Sequence, residues 1–206
     1  MFPPQNSIAF NYYNKINPKD NPEFPHKKGN SYLPRHYKTL YNVVMESDYI
    51  ACPKNSILFH LRLYDWFSWG YAGKTSIKDY EDFIEKNKDL ISNIDNIFLL
   101  YGGCPTKYDI DHSKTNEFID TLTKLLKKYN SNVFCIVSNN TDQDFKYMVT
   151  SEYYVPSLGG YGNLAAAINK NKVYWEISEK YRSQYKGIND YNDIAEFKTN
   201  YMNNKK

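Results

Sequence analysis

Arginine is scarce in this chain. Only Arg35, Arg62 and Arg182 occur among 26 basic residues. With 23 acidic residues interspersed and a net charge of +3, no basic stripe is left to follow a nucleic-acid backbone. Cysteine is scarce too. Cys52, Cys104 and Cys135 are odd in number and widely spaced. They lack metal-type spacing, and a reducing compartment suits them. No apolar run approaches the roughly 20 residues that span a bilayer, so no membrane span is expected. Residues 1–14 lack the charged-then-apolar layout of a signal peptide. The expected location is therefore the cytoplasm. Asn139-Asn140-Thr141 fits the glycosylation tripeptide, a match common by chance. A P-loop, zinc spacings and Ser/His/Asp hydrolase signatures are all missing.

What is present points to one folded unit. The chain has 206 residues, 41% of them hydrophobic, enough for one well-cored domain or a domain with a small appendage. Aromatic residues at 17% exclude a disordered chain. Usage is skewed to Asn, Lys, Tyr and Ile, all with A/T-rich codons. That composition fits an AT-rich genome such as a large DNA virus, a low-GC bacterium or a protozoan; for a virus the compartment is the host cytoplasm.

Residues 1–35 carry Pro3, Pro4, Pro18, Pro22 and Pro25 and read as an irregular arm. Tyr37, Leu40, Tyr41 and Val44 recur at helical spacing and predict a helix over 36–48. Residues 1–55 thus form an arm plus one helix, and 56–206 the main domain. From Ser56 the pattern alternates. Strands are expected at 56–63, 96–101, 132–138, 153–156 and 173–177. Helices are expected at 77–91, 115–129, 142–150, 162–168 and 191–202. Alternating strands and helices, with near-continuous apolar strands such as Asn96–Tyr101, imply an α/β fold with a mainly parallel sheet flanked by helices. Ligands of such sheets bind beyond the carboxyl ends of the strands. The unusual residues of this chain cluster there.

Four constellations stand out. In His60-Leu61-Arg62-Leu63-Tyr64-Asp65, alternation puts His60 and Arg62 on one face, roughly 6.5 Å apart. A guanidinium at a strand end offers a planar fork of donors suited to a diphosphate. The same residues also suit a structural Arg62–Asp65 pair beside a hydrogen-bonded core histidine. The second is Tyr154-Val155-Pro156-Ser157-Leu158-Gly159-Gly160-Tyr161-Gly162-Asn163, a strand running into a helix. Its glycines permit close backbone approach, and the helix start offers N–H groups to an anion. It is a GGxG rather than a dinucleotide GxGxxG, and equally suits a tight turn. The third is Ser138-Asn139-Asn140-Thr141-Asp142-Gln143-Asp144. Here Thr141 or Asp142 is expected to cap a helix, leaving Asp144 within reach of a ligand. The fourth, Asp109-Ile110-Asp111-His112, has the DxD form that some glycosyltransferases use for a metal, but no metal is expected.

The order of these pieces resembles the donor-binding half of fucosyltransferases of the α1,2-, α1,6- and protein-O-fucosyl type. Three short motifs carry the resemblance. His60, Arg62 and Asp65 match a strand ending in H-x-R-x-[GT]-D. Ser138-Asn139-Asn140 loosely match a strand ending in S-D-D. Asp144 through Ser157 to Gly159-Gly160 match an acid opening a helix, then a strand, then a small-residue turn. The resemblance covers about residues 36–177. It implies a Rossmann-like fold like the C-terminal donor-binding half of a GT-B glycosyltransferase. It also implies GDP-fucose as donor, a glycan or protein hydroxyl as acceptor, and no metal or other cofactor. By the resemblance, Arg62 is the catalytic contact to the β-phosphate and His60 contacts the nucleotide. Asp144 accepts from the guanine edge, and the Ser157–Tyr161 turn, with Gly159, Gly160 and Tyr161, holds phosphate.

The departures are specific. Tyr64 replaces the usual Gly or Thr, and Leu63 stands where the α1,6 type has a second arginine. Asn139-Asn140 replace two acids, and Gly160 stands where a phosphate-binding serine is often found. These enzymes also carry a second Rossmann-like domain ahead of the H-x-R motif, for which residues 1–55 are too few. A minimal acceptor side, a partner chain or an oligomer would have to complete the site. The alternative is a non-catalytic nucleotide- or glycan-binding remnant. No residue is singled out as a catalytic base.

Overall fold

The computed structural model describes residues 7–8, 11, 34–63, 76–102, 112–157 and 160–177. Eleven elements follow one another: α1 (Pro34–Glu46), β1 (Ser56–Leu61), α2 (Ile77–Lys86), α3 (Lys88–Asn93), β2 (Asn96–Gly102), α4 (His112–Lys127), β3 (Val133–Ser138), α5 (Thr141–Thr150), β4 (Tyr153–Val155), α6 (Gly160–Ile168) and β5 (Lys172–Val173). The expected helix over 191–202 lies outside the described residues.

The strands form one all-parallel sheet in the order β3-β2-β1-β4-β5. This is a Rossmann-like α/β arrangement. The chain builds outward from β1 through β2 to β3, then crosses back to lay β4 on the other side of β1. The sheet therefore has its topological switch point between β1 and β4. In parallel sheets of this kind ligands bind at such a switch point, beyond the carboxyl ends of the strands.

Strand alternation sorts the core into two layers. Ile57, Phe59, Leu61 and Leu63 face one side, with Tyr80, Phe83 and Ile84 of α2 and Phe118, Ile119, Leu122 and Leu126 of α4. Leu58, Leu100 and Tyr154 face the other, with Leu40, Val43 and Val44 of α1, Phe145, Met148 and Val149 of α5, and the Ala165–Ile168 run of α6. The helix ahead of β1 thus shares the core of the sheet. Fully burying a side chain of this size contributes roughly 1.5–3 kcal/mol before entropic costs. Among the described residues no helix is long and apolar enough to cross a membrane.

Local chemistry sets the element ends. The Ser76 side chain accepts from the Lys78 amide and caps α2, with Asp79 in the first turn and Lys86 in the last, as the helix dipole favours. The helix expected over 77–91 is broken in two. Asn87 turns its side-chain amide back onto the Phe83 carbonyl at 2.8 Å, and its backbone N–H also meets Phe83 and Ile84 carbonyls. Before β1, Asn55 sits at φ 50, a left-handed conformation that asparagine tolerates. The last strand is shorter than the apolar pattern of 173–177 suggests. Pairing with β4 ends at Val173, with a last bond from the Tyr174 amide to the Tyr154 carbonyl at 2.8 Å, and Glu176 and Ile177 are helical.

Candidate functional site

His60 is the fifth residue of β1 and shares the face of Leu58, while its neighbours Phe59 and Leu61 are buried in the opposite layer. The expected strand stops at Leu61, so Arg62 stands one residue past it, half-buried. Burial, and then the charge of Arg62, lower the His60 pKa from 6.5 to about 4. At neutral pH the imidazole is uncharged.

Across the switch point, β4 pairs with β1 through Phe59 and Val155, which brings the ends of the two strands together. Ser157, two residues past that pair, is buried. Its hydroxyl lies 3.0 Å from His60 Nδ1. A neutral imidazole and a serine have one N–H and one O–H between them, and their mutual bond uses one. The pair therefore keeps one donor for a third group: Nε2–H when serine donates, the hydroxyl when histidine does.

Gly160 opens α6, whose first backbone N–H groups lack intrahelical partners. Tyr161 sets its ring edge-on to His60 at 6.1 Å and packs on Phe145 at 5.3 Å. Its hydroxyl donates to the Thr141 carbonyl. Burial and the nearby carboxylates of Asp144 and Asp142 push its ionisation well above the ordinary tyrosine value. The Tyr161 hydroxyl is thus occupied by α5, and the part left exposed is ring.

The start of α5 corrects one expectation. Neither Thr141 nor Asp142 caps the helix. Asn140 does, its side-chain oxygen accepting from the amides of Asp142 (3.0 Å) and Gln143 (3.1 Å). Asp142 serves as an anchor, accepting from the Ile8 amide at 3.1 Å and the Tyr49 hydroxyl at 3.3 Å. Asp144 is buried in the first turn, next to Tyr161. Both Arg62 and Asp144 interact with other groups of the chain.

His60, Arg62, Ser157, Tyr161 and Asp144 are therefore neighbours, with Gly160 at the adjoining helix start. Ser138 is not drawn in with them. It ends β3 opposite Gly102, two strands from β1, on the order of 10 Å away. Asp65, Gly159 and the Asp109–Asp111 pair lie outside the described residues. Among the described residues no group of three or more His, Cys, Asp or Glu could hold a metal ion.

Two residues of the second constellation contribute in ways the sequence did not assign. Tyr154, on β4, shares its one hydroxyl proton between the Gly162 carbonyl at 3.2 Å and the Met148 sulfur at 3.0 Å. Gly162, in the first turn of α6, lies directly against the His60 ring. A glycine kept within a helical run was the available signal. No protein-family model, curated protein or solved structure matches the chain.

Proposed function

We propose that the switch point between β1 and β4 binds the diphosphate of a nucleotide sugar. On this reading the domain is the donor half of a GT-B-type glycosyltransferase, moving fucose from GDP-fucose to a glycan or protein hydroxyl. The observation that carries it is the 3.0 Å contact between His60 and Ser157 at the switch point. There a neutral donor, a helix start and the guanidinium of Arg62 stand together.

Each group has a task. The N–H groups at the start of α6 and the remaining donor of the His60–Ser157 pair hold phosphate oxygens. Arg62 faces the charge that grows on the diphosphate as the sugar–phosphate bond breaks, and a cation held in place before the reaction lowers that barrier. Asp144 accepts from the guanine edge. The acceptor hydroxyl comes from a glycan or protein, with its side of the cleft completed by the N-terminal arm or by a partner chain.

A thermal-shift panel of GDP, UDP, CDP and NAD tests this. GDP at about 100 times its dissociation constant should add roughly 2.7 kcal/mol to wild-type stability and nothing to Arg62→Ala. Equal stabilisation of both proteins would remove the phosphate from Arg62. Release of fucose from GDP-fucose, with and without acceptors, then separates a transferase from a non-catalytic binder.

A further inference from the structure

We infer that Gly162 is a positioning residue: its missing side chain lets the start of α6 seat the His60 ring against Ser157, and Tyr154 pins the glycine in place. A Cβ built on Gly162 would lie 2.6 Å from His60 Nδ1, 3.0 Å from Cε1 and 3.4 Å from the Tyr154 hydroxyl. The first distance is too short for any real Cβ contact. It falls on the same nitrogen that meets Ser157 at 3.0 Å.

Backbone conformation does not ask for a glycine here. Gly162 lies inside a helix of nine residues, where glycine is less stable than alanine. Its use is therefore steric. Nor is the helix free to retreat. Tyr154 is fully buried in the sheet, its hydroxyl holds the Gly162 carbonyl, and Ala165 and Ala166 are buried one turn on. A methyl group at 162 must displace the imidazole instead, and with it the bond to Ser157. What the pair binds rests on the nucleotide-sugar reading; how the pair is held does not.

The test is Gly162→Ala in the full chain, read by NMR titration of the His60 ring and by GDP titration. The His60 resonance is identified by its loss in His60→Gln. Wild-type His60, lowered by burial and by Arg62, should titrate near 4. In Gly162→Ala it should move towards the ordinary value of about 6.5, and GDP should bind roughly tenfold more weakly or worse. Tyr154→Phe keeps the ring and removes the tie. It should shift both readouts the same way by less, and it carries the test if Gly162→Ala does not fold. A His60 titration unchanged in both variants overturns the inference; a displaced His60 with unaltered GDP affinity supports it and instead takes the phosphate away from the His60–Ser157 pair. If GDP fails to bind the wild type, the functional reading falls, and the His60 titration alone decides the role of Gly162.

Discussion

The layer of α1, α5 and α6 buries polar groups in two settings, and the two treat them differently. On the side packed against α1, Lys146 sends its amine to the carbonyls of Val44 (2.6 Å), Met45 (3.0 Å) and Ser47 (3.3 Å), closing the end of α1. Asn169 donates to the Met148 carbonyl at 2.8 Å and the Ser151 carbonyl at 3.1 Å, and accepts from the Asn171 amide at 2.7 Å. These side chains are consumed by backbone. At the rim, His60 and Ser157 have each other and one donor to spare. Buried polarity by itself therefore does not mark a site. The distinguishing feature is hydrogen-bonding capacity left unused at the switch point.

That contrast can be broken by pH. The His60 pKa is lowered to about 4 in the fold, below the unfolded value of about 6.5. Between these values the unfolded chain binds a proton that the folded chain refuses. Stability is then complete above about pH 6.5 and falls as pH drops towards 4, by up to about 3 kcal/mol. Urea unfolding of wild type and His60→Gln should show that extra loss in the wild type alone. Parallel curves would mean that the imidazole is not buried as described.

The backbone-bound setting is tested by Lys146→Ala. Removing the amine strands the carbonyls at the end of α1 and should cost about 2–3 kcal/mol. It should leave GDP affinity within about twofold, because Lys146 faces α1 and not the rim. A large loss of affinity at unchanged stability would erase the distinction between the two settings.

Much of the fold could be read from the sequence because its signals are local. The alternation of Ile57 to Leu63 announces two faces, and the apolar spacing of Tyr80, Phe83 and Ile84 announces a helix. Element ends were harder. Asn140, Thr141 and Asp142 are all competent caps, and only the backbone conformation chooses Asn140. The aromatic run Tyr174-Trp175 looks like strand, but the pairing stops at Val173 and the chain turns into helix at Glu176. The candidate site was half legible. His60 and Arg62 follow from strand period and Ser157 from its glycine turn. The contact between His60 and Ser157 depends on strand order, and the use of Gly162 depends on what packs against it. Both are tertiary facts. Ser138 shows the converse: its place in a motif gave no hint that it ends the far strand.

The most direct measurement is a backbone-amide NMR titration with GDP. The account predicts that shifts concentrate at His60, Arg62, Ser157 and Gly160–Asn163, and spare Lys146 and Asn169. Shifts centred on those two, or spread away from the β1–β4 rim, would contradict it.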